Sequence, residues 1–104
     1  MEIKLEKNNG NVTIVLVGRL DTITSVELND FFEAKQEEII KEAGEKVVLD
    51  FKDLEYVSSA GLRALLAMKK ALVKVGKDLE IQNINNIIRE VFDVTGFGKT
   101  IKIV

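Results

Sequence analysis

The sequence of 104 residues has the length of one domain, and its 46% hydrophobic and 31% charged residues are typical of a globular fold. Its 15 Lys and Arg against 17 Asp and Glu give a net charge of -2, which argues against a direct nucleic-acid binder. The chain has no cysteine and no histidine, so it lacks thiolate chemistry and the commonest general base and metal ligand. We therefore expect no metal, no cofactor and no enzymatic activity.

The apolar pattern does not predict a membrane protein. A long apolar run such as Val12–Val17 is far shorter than the ~20 residues that cross a bilayer. The first residues, Met1–Lys4, do not form a signal-peptide pattern. We expect a cytoplasmic protein without a membrane partner.

The N-terminal segment predicts a β-hairpin. Ile3–Glu6 alternates apolar and polar residues, which is the pattern of a half-exposed strand at a sheet edge. Asn8–Asn11 (Asn-Asn-Gly-Asn) contains residues that tolerate positive φ, so this segment predicts the turn. Val12–Val17 follows as a strand that is buried on both faces.

The next segment predicts a helix that begins at Thr24 and ends near Ala43, with Gly44 as its stop. Thr24 and Glu27 have the spacing of a capping box, in which Thr24 is the N-cap and Glu27 bonds back to it. One face of this helix collects apolar side chains, and these are Leu28, Phe31, Phe32 and Ile39.

Three short runs in the second half predict strands, and they are Lys46–Phe51, Asp78–Ile81 and Thr100–Val104. With the helices between them, the element order is β-β-α-β-α-β-α-β. Strands separated by helices pair in parallel through right-handed crossovers. The sequence therefore predicts an α/β fold of one domain, residues 1–104, with a mostly parallel central sheet and an N-terminal antiparallel hairpin.

Two more helices lie between these strands. Gly76 ends the first of them, and the second is capped by Asn85 or Asn86 and stops near Gly96. The predicted core positions are Leu62, Leu65, Leu66, Leu72 and Val73 in the first helix, and Ile87, Ile88, Val91 and Phe92 in the second.

Gly96–Thr100 (Gly-Phe-Gly-Lys-Thr) ends like a phosphate-binding P-loop. The complete motif requires a glycine five positions before Gly98, where this chain has Asp93. It also requires a strand before the loop and a helix after it, and the predicted order here is the reverse. A helix stop followed by a strand is favoured, so we reject nucleotide hydrolysis.

Leu54–Leu62 joins a predicted strand to a predicted helix, and α/β sheets usually place their binding sites in such loops. Ser58 or Ser59 is the expected N-cap, and Gly61 leaves backbone N–H groups accessible in the first turn. Those groups and the helix dipole would stabilise a phosphoryl group. A serine that only caps the helix is the simpler interpretation, and a hydrolytic serine is disfavoured because no histidine can activate it.

At this segment the sequence resembles a known family. Val48–Phe51, Leu54 and Tyr56–Leu62 resemble the signature of the STAS domain, and more closely that of bacterial anti-sigma factor antagonists. The resemblance covers nearly the whole chain, and Gly18–Asp21 (Gly-Arg-Leu-Asp) is similar to a second segment of the family. It implies that Ser59 is the phosphoacceptor.

Two positions depart from the family pattern. The family's usual Asp before the phosphoacceptor is Ser58 here, and the next residue after the acceptor is Ala60. Ser58 is therefore an alternative acceptor. The partner-binding residues that the resemblance implies are Asp21, Thr24, Ser58, Ala60, Gly61 and Arg63.

Two further features have open interpretations. The spacing of Arg63, Lys70, Lys74 and Lys77 predicts that they share one face of the second helix, where they could dock an acidic partner. A solvated outer face is the favoured interpretation. Asp21 either helps to position the loop near Ser59 or contacts a partner, as the resemblance implies, or it forms only a turn before the first helix.

The resemblance implies a phosphorylation-controlled binding protein. In this hypothesis the unphosphorylated chain binds an anti-sigma factor that is also an ATP-dependent serine kinase, and the sigma factor is released. Phosphorylation of Ser59 ends the binding, and a serine phosphatase resets it. An unphosphorylated STAS scaffold in a signalling assembly is the alternative. A small α/β enzyme is disfavoured, because the acidic residues form no convergent acid–base set.

Overall fold

A six-stranded sheet and three α-helices form the described part of the chain, residues 1–8 and 10–104, in this computed structural model. The strands are β1 Glu2–Asn8, β2 Asn11–Leu20, β3 Lys46–Asp50, β4 Leu54–Val57, β5 Asp78–Gln82 and β6 Lys102–Ile103. The helices are α1 Thr24–Glu42, α2 Ser59–Lys74 and α3 Asn86–Thr95, and a 3-10 turn over Phe97–Lys99 follows α3. The predicted α/β class is confirmed, and the predicted elements occur in the predicted order with β4 added. None of the described helices has the length and apolar character to cross a bilayer.

The sheet has the order β1-β2-β3-β5-β6. β1 and β2 pair antiparallel with Asn8 opposite Asn11, so the predicted hairpin is confirmed. Asn9 of the predicted turn lies outside the described residues. β3, β5 and β6 extend the sheet in parallel from β2, so the carboxyl ends of the parallel strands share one edge.

The prediction that Leu54–Val57 is a loop is wrong, because this segment is β4 and pairs in parallel with the end of β2. Leu54 and Val57 are buried while the two residues between them are exposed, so the segment shows neither alternation nor a continuous apolar run. Gly18, with a φ of 105°, lies where the register between β2 and β4 shifts. Its N–H donates to the carbonyl of Asp53 at 3.0 Å. This bulge redirects the end of β2 and allows it to pair with β4.

One hydrophobic core joins the sheet to the helices. The predicted core residues that are buried are Leu28, Phe32, Ile39, Leu62, Leu65, Leu72, Ile88 and Phe92, while Phe31, Leu66 and Val91 are half-buried. Two predicted core positions are wrong, since Val73 is 54% exposed and Ile87 is 73% exposed. Each is next to a buried residue in the sequence and therefore lies about 100° away from it around the helix.

The start and end of α3 resolve two predictions. Asn85, rather than Asn86, is the N-cap, and its Oδ1 accepts a hydrogen bond from the Ile88 N–H at 2.8 Å. Gly96 ends the helix in the left-handed conformation. The segment Gly96–Thr100 has α3 before it and β6 after it, so the order is the reverse of a P-loop, as predicted.

Candidate functional site

Two loops meet at the carboxyl edge of the sheet because β2 and β4 run side by side. Leu20 lies opposite Val57 in the register, and the Ser58 N–H donates to the carbonyl of Leu20 at 2.9 Å. The chain leaves β2 here to begin α1, and it leaves β4 here to begin α2. The structure therefore places the segments Asp21–Thr24 and Ser58–Gly61 next to each other.

The two serines at the start of α2 use their hydroxyl groups differently. Ser58 is the N-cap, and its half-buried Oγ accepts a hydrogen bond from the Gly61 N–H at 3.1 Å. Ser59 is the first residue of the helix and is exposed. Among the described residues, its hydroxyl has no hydrogen-bond partner. Ser59 thus leaves its hydroxyl exposed, whereas Ser58 uses its oxygen to hold the helix start.

Gly61 allows α2 to begin in close contact with β2. A Cβ at this position would lie 2.7 Å from the carbonyl oxygen of Leu20 and 2.8 Å from its Cγ, so a larger residue would displace the strand or the helix. Ala60, the residue before it, is half-buried. The first turn of α2 has no acidic residue, so no carboxylate from this turn offsets the positive end of the helix dipole.

The start of α1 is closed by its own hydrogen bonds. Asp21 Oδ1 accepts from the N–H groups of Ile23 and Thr24, each at 3.0 Å. Thr24 Oγ1 accepts from the Asp21 N–H at 2.8 Å and donates to the Arg19 carbonyl at 2.7 Å. The hydrogen bond from the Thr24 N–H is the main reason that the pKa of Asp21 lies below its ordinary value. Asp21 therefore forms the turn before α1, which was one of its predicted roles.

The predicted capping box at Thr24 and Glu27 is wrong. The N-cap position is Ile23, which makes no side-chain hydrogen bond to the helix within the described residues. Asp21 supplies the acceptor instead, because its carboxylate reaches forward over the turn to the first helical N–H groups. The Thr24 hydroxyl points back to the end of β2.

Two exposed apolar side chains beside this turn were not singled out from the sequence. Ile23, at the N-cap position, is 78% exposed, and Val26, in the first turn of α1, is 56% exposed. A signal for Val26 was present, because it is two residues from the buried Leu28 and so falls on the opposite side of α1.

An aromatic–cation pair on the adjoining strands was also missed. The guanidinium of Arg19 on β2 lies 4.4 Å from the ring centroid of Tyr56 on β4, directly across the parallel register. Tyr56 is 40% exposed. We refer to Arg19, Ile23, Val26 and Tyr56 together as the loop rim.

The predicted basic row on α2 holds for three of its four members. Arg63, Lys70 and Lys74 are exposed on the helix. Lys77 lies beyond the helix end, and its Nζ donates to the carbonyls of the two residues that follow α1, at 3.0 and 2.6 Å. Its place in the row is therefore wrong, because it fastens the connection between α2 and β5 to the end of α1.

Comparison with known proteins identifies the family. The sequence model of the STAS domain matches residues 2–104, so the chain belongs to the STAS domain family. This match covers β1 to β6 and includes both loops of the site.

Individual relatives show which members of the family this chain resembles. BtrV of Bordetella bronchiseptica, provisionally named an anti-sigma factor antagonist, is 32% identical over 93% of this chain and 80% of BtrV. The anti-sigma F factor antagonist of Paenibacillus polymyxa is 27% identical over 99% of this chain and 86% of that protein. The fold is similar to that of the Bacillus cell fate determinant SpoIIAA in its phosphorylated form, with a TM-score of 0.69 and 22% identity over 99% of this chain and 91% of that one. The predicted resemblance to anti-sigma factor antagonists is confirmed.

Proposed function

We propose that this chain is an anti-sigma factor antagonist, a binding protein rather than an enzyme, whose binding is controlled by phosphorylation of Ser59. The observation that carries the proposal is the contrast at the start of α2. The Ser59 hydroxyl is exposed and free among the described residues, whereas Ser58 caps the helix. The names of the relatives support the class of function.

The proposed partner is an anti-sigma factor that is also an ATP-dependent serine kinase. In the transfer, Ser59 Oγ attacks the γ-phosphorus of ATP, the bond to the ADP oxygen breaks, and the hydroxyl proton passes to a base of the kinase. A serine phosphatase would return the hydroxyl by transferring the phosphoryl group to water. The proposal places the chain in the cytoplasm, where sigma factors act on RNA polymerase.

The binding surface in this proposal surrounds Ser59. The loop rim supplies aliphatic and aromatic contacts, and such side chains carry much of the binding energy at protein interfaces. The proposed polar and backbone contacts are Asp21, Thr24, Ser58, Ala60 and Arg63. Gly61, the remaining residue that the resemblance implies, is buried against β2 and its N–H is bonded to Ser58 Oγ, so its proposed part is to hold the start of α2 in place for the partner. A phosphate on Ser59 adds a charge of roughly -1.5 to -2, and burying that charge in an interface formed around a neutral hydroxyl is unfavourable. A penalty of ~3 kcal/mol would weaken binding by roughly a hundredfold.

The test compares phosphorylation of the parent chain, Ser59→Ala and Ser58→Ala by the partner kinase with ATP. We expect mass spectrometry to find one phosphate on the parent and on Ser58→Ala, and none on Ser59→Ala, which should still bind the kinase. Undiminished labelling of Ser59→Ala would move the acceptor to Ser58 or elsewhere. Binding without phosphate on any variant would support the scaffold alternative.

A further inference from the structure

Arg63 is the one cationic residue in the first two turns of α2, residues 59–66. It follows Ser59 by four residues, so the two lie on the same face of the helix with Cβ atoms about 5–6 Å apart. Helical side chains lean toward the N-terminus of their helix, so the side chain of Arg63 is directed toward the turn that carries Ser59.

Neither side chain has a competing partner among the described residues. Ser59 and Arg63 are both exposed, and Arg63 takes part in none of the ion pairs in this part of the chain. Arg19, near the end of β2, is stacked on the ring of Tyr56. The first turn of α2 also lacks an acidic residue. The helix start therefore presents a free guanidinium and uncompensated N–H groups but no anion.

We propose that Arg63 pairs in cis with a phosphate on Ser59, so that phosphorylation withdraws this cation from the partner-facing surface as it adds negative charge. The inference rests on the proposed function for the modification of Ser59, and it adds a role for Arg63 in the modified state. The phosphate oxygens accept hydrogen bonds from the guanidinium, which matches a phosphate with two parallel donors. Arg63 is thus a positioning residue for the phosphate and has no part in its transfer.

The pairing has a consequence for the switch. In the unphosphorylated chain Arg63 is available to an acidic group of the partner. In the phosphorylated chain the partner meets a phosphate and also loses its contact with Arg63. Because the new ion pair and the helix dipole both favour the modified state, phosphorylation also stabilises the fold.

The test installs phosphoserine at position 59 during translation, by expansion of the genetic code, so that no kinase is needed. Thermal midpoints are measured with and without the phosphate in the parent, in Arg63→Gln and in Lys70→Gln. Lys70 is the matched control, since it is exposed on the same helix but lies 11 residues from Ser59, about 16 Å along the axis against about 6 Å for Arg63. Both substitutions remove one positive charge, and each variant is compared with its own unphosphorylated form.

We expect the phosphate to raise the midpoint of the parent and of Lys70→Gln by about 4 °C or more. In Arg63→Gln at least half of this rise should be lost, and Arg63→Lys should restore part of it. A non-specific phosphatase should also release phosphate about threefold faster from Arg63→Gln than from the parent or Lys70→Gln. Equal rises in the parent and Arg63→Gln, or no rise in the parent, would overturn the pairing. Because the phosphate is installed directly, this test can fail while the kinase still labels Ser59, and it can succeed if the kinase labels another residue.

Discussion

Two helices begin side by side at the same edge of the sheet, and their starts differ in what they leave free. At the start of α1, Asp21 and Thr24 bond to each other and to the backbone of the turn, so Asp21 Oδ1 and Thr24 Oγ1 are both occupied. At the start of α2, Ser58 alone provides the cap, and the hydroxyl of Ser59 is left exposed. The closed start fixes the turn before α1, and the open start leaves exposed the hydroxyl that we propose is phosphorylated.

The difference arises from where the capping oxygen stands relative to the helix. In α1 the acceptor is Asp21, two residues before the N-cap position, so the turn between Asp21 and the helix takes part in capping it. In α2 the acceptor is the N-cap residue itself, so the next side chain is not needed for the helix to begin. Modification of Ser59 can therefore leave the fold intact.

Among substitutions at the two helix starts, we expect Gly61→Ala to lower the stability of the fold most, because it obstructs the contact between α2 and β2. The new methyl group would lie 2.7 Å from the Leu20 carbonyl oxygen, and we expect a loss of about 1–3 kcal/mol in the free energy of unfolding, measured with urea. Gly98→Ala is the control, because the nearest atom to its Cβ is 3.6 Å away. Equal stability of the two variants would show that the close approach at Gly61 is not required.

A smaller loss of stability is expected from removal of the cap on α2. Ser58→Ala should lower the free energy of unfolding by about 1 kcal/mol, because the Gly61 N–H loses its acceptor. Ser59→Ala is the matched control and should stay within about 0.5 kcal/mol of the parent, as expected for an exposed position. If Ser59→Ala were the more destabilised of the two, the assignment of the cap would be wrong.

At the start of α1, Asp21→Asn should destabilise the chain less than Ser58→Ala, since the amide oxygen of Asn still accepts hydrogen bonds. The pKa of Asp21 is lowered in the folded state, chiefly by the hydrogen bond from the Thr24 N–H. Its carboxylate therefore contributes stability above the ordinary pKa, and this contribution is lost as the pH falls through the lowered value. Thermal midpoints of parent and variant should differ most near neutral pH and converge in acid. A difference in thermal midpoint that grows as the pH falls would contradict a stabilising role of the Asp21 carboxylate.

Much of this fold could be predicted from local patterns. The buried faces at Leu28 and Phe32 and at Leu62 and Leu65 follow from helical spacing alone. β4 could not be predicted in this way, because its pairing depends on the bulge at Gly18, 36 residues before β4 begins at Leu54. A strand that is held by a distant bulge leaves little trace in its own sequence.

The site was predicted at the level of segments more than of individual roles. The pattern around Ser58 and Ser59 located the start of a helix, but a one-residue shift decides which serine is the cap, and helix boundaries are uncertain by that amount. At α1 the spacing of Thr24 and Glu27 satisfied a capping box, while the carboxylate of Asp21 formed the competing turn. Which of the two local motifs forms depends on the position and direction in which the chain leaves β2. These are set by the tertiary structure.

The smallest effect on stability is expected from Ser59→Asp, which places a negative charge at the open helix start. The free N–H groups and the helix dipole favour an anion there, so the thermal midpoint should equal or slightly exceed that of the parent. Binding to the anti-sigma partner, measured by calorimetry, should weaken at least about tenfold. Ser59→Asn is the matched control, because it has the same size without the charge and should bind more tightly than Ser59→Asp.

The salt dependence of this loss tells how the charge acts. A repulsion that is exposed to solvent is screened as salt is raised, whereas the cost of burying a charge in an interface persists. We expect persistence, because the small side chains of Ser58 and Ala60 on either side of Ser59 allow a partner to approach the backbone closely and exclude water from Ser59. If about 1 M salt restored the affinity of Ser59→Asp, the charge would act at the rim of the interface. If Ser59→Asn lost binding as fully as Ser59→Asp, size rather than charge would control the switch.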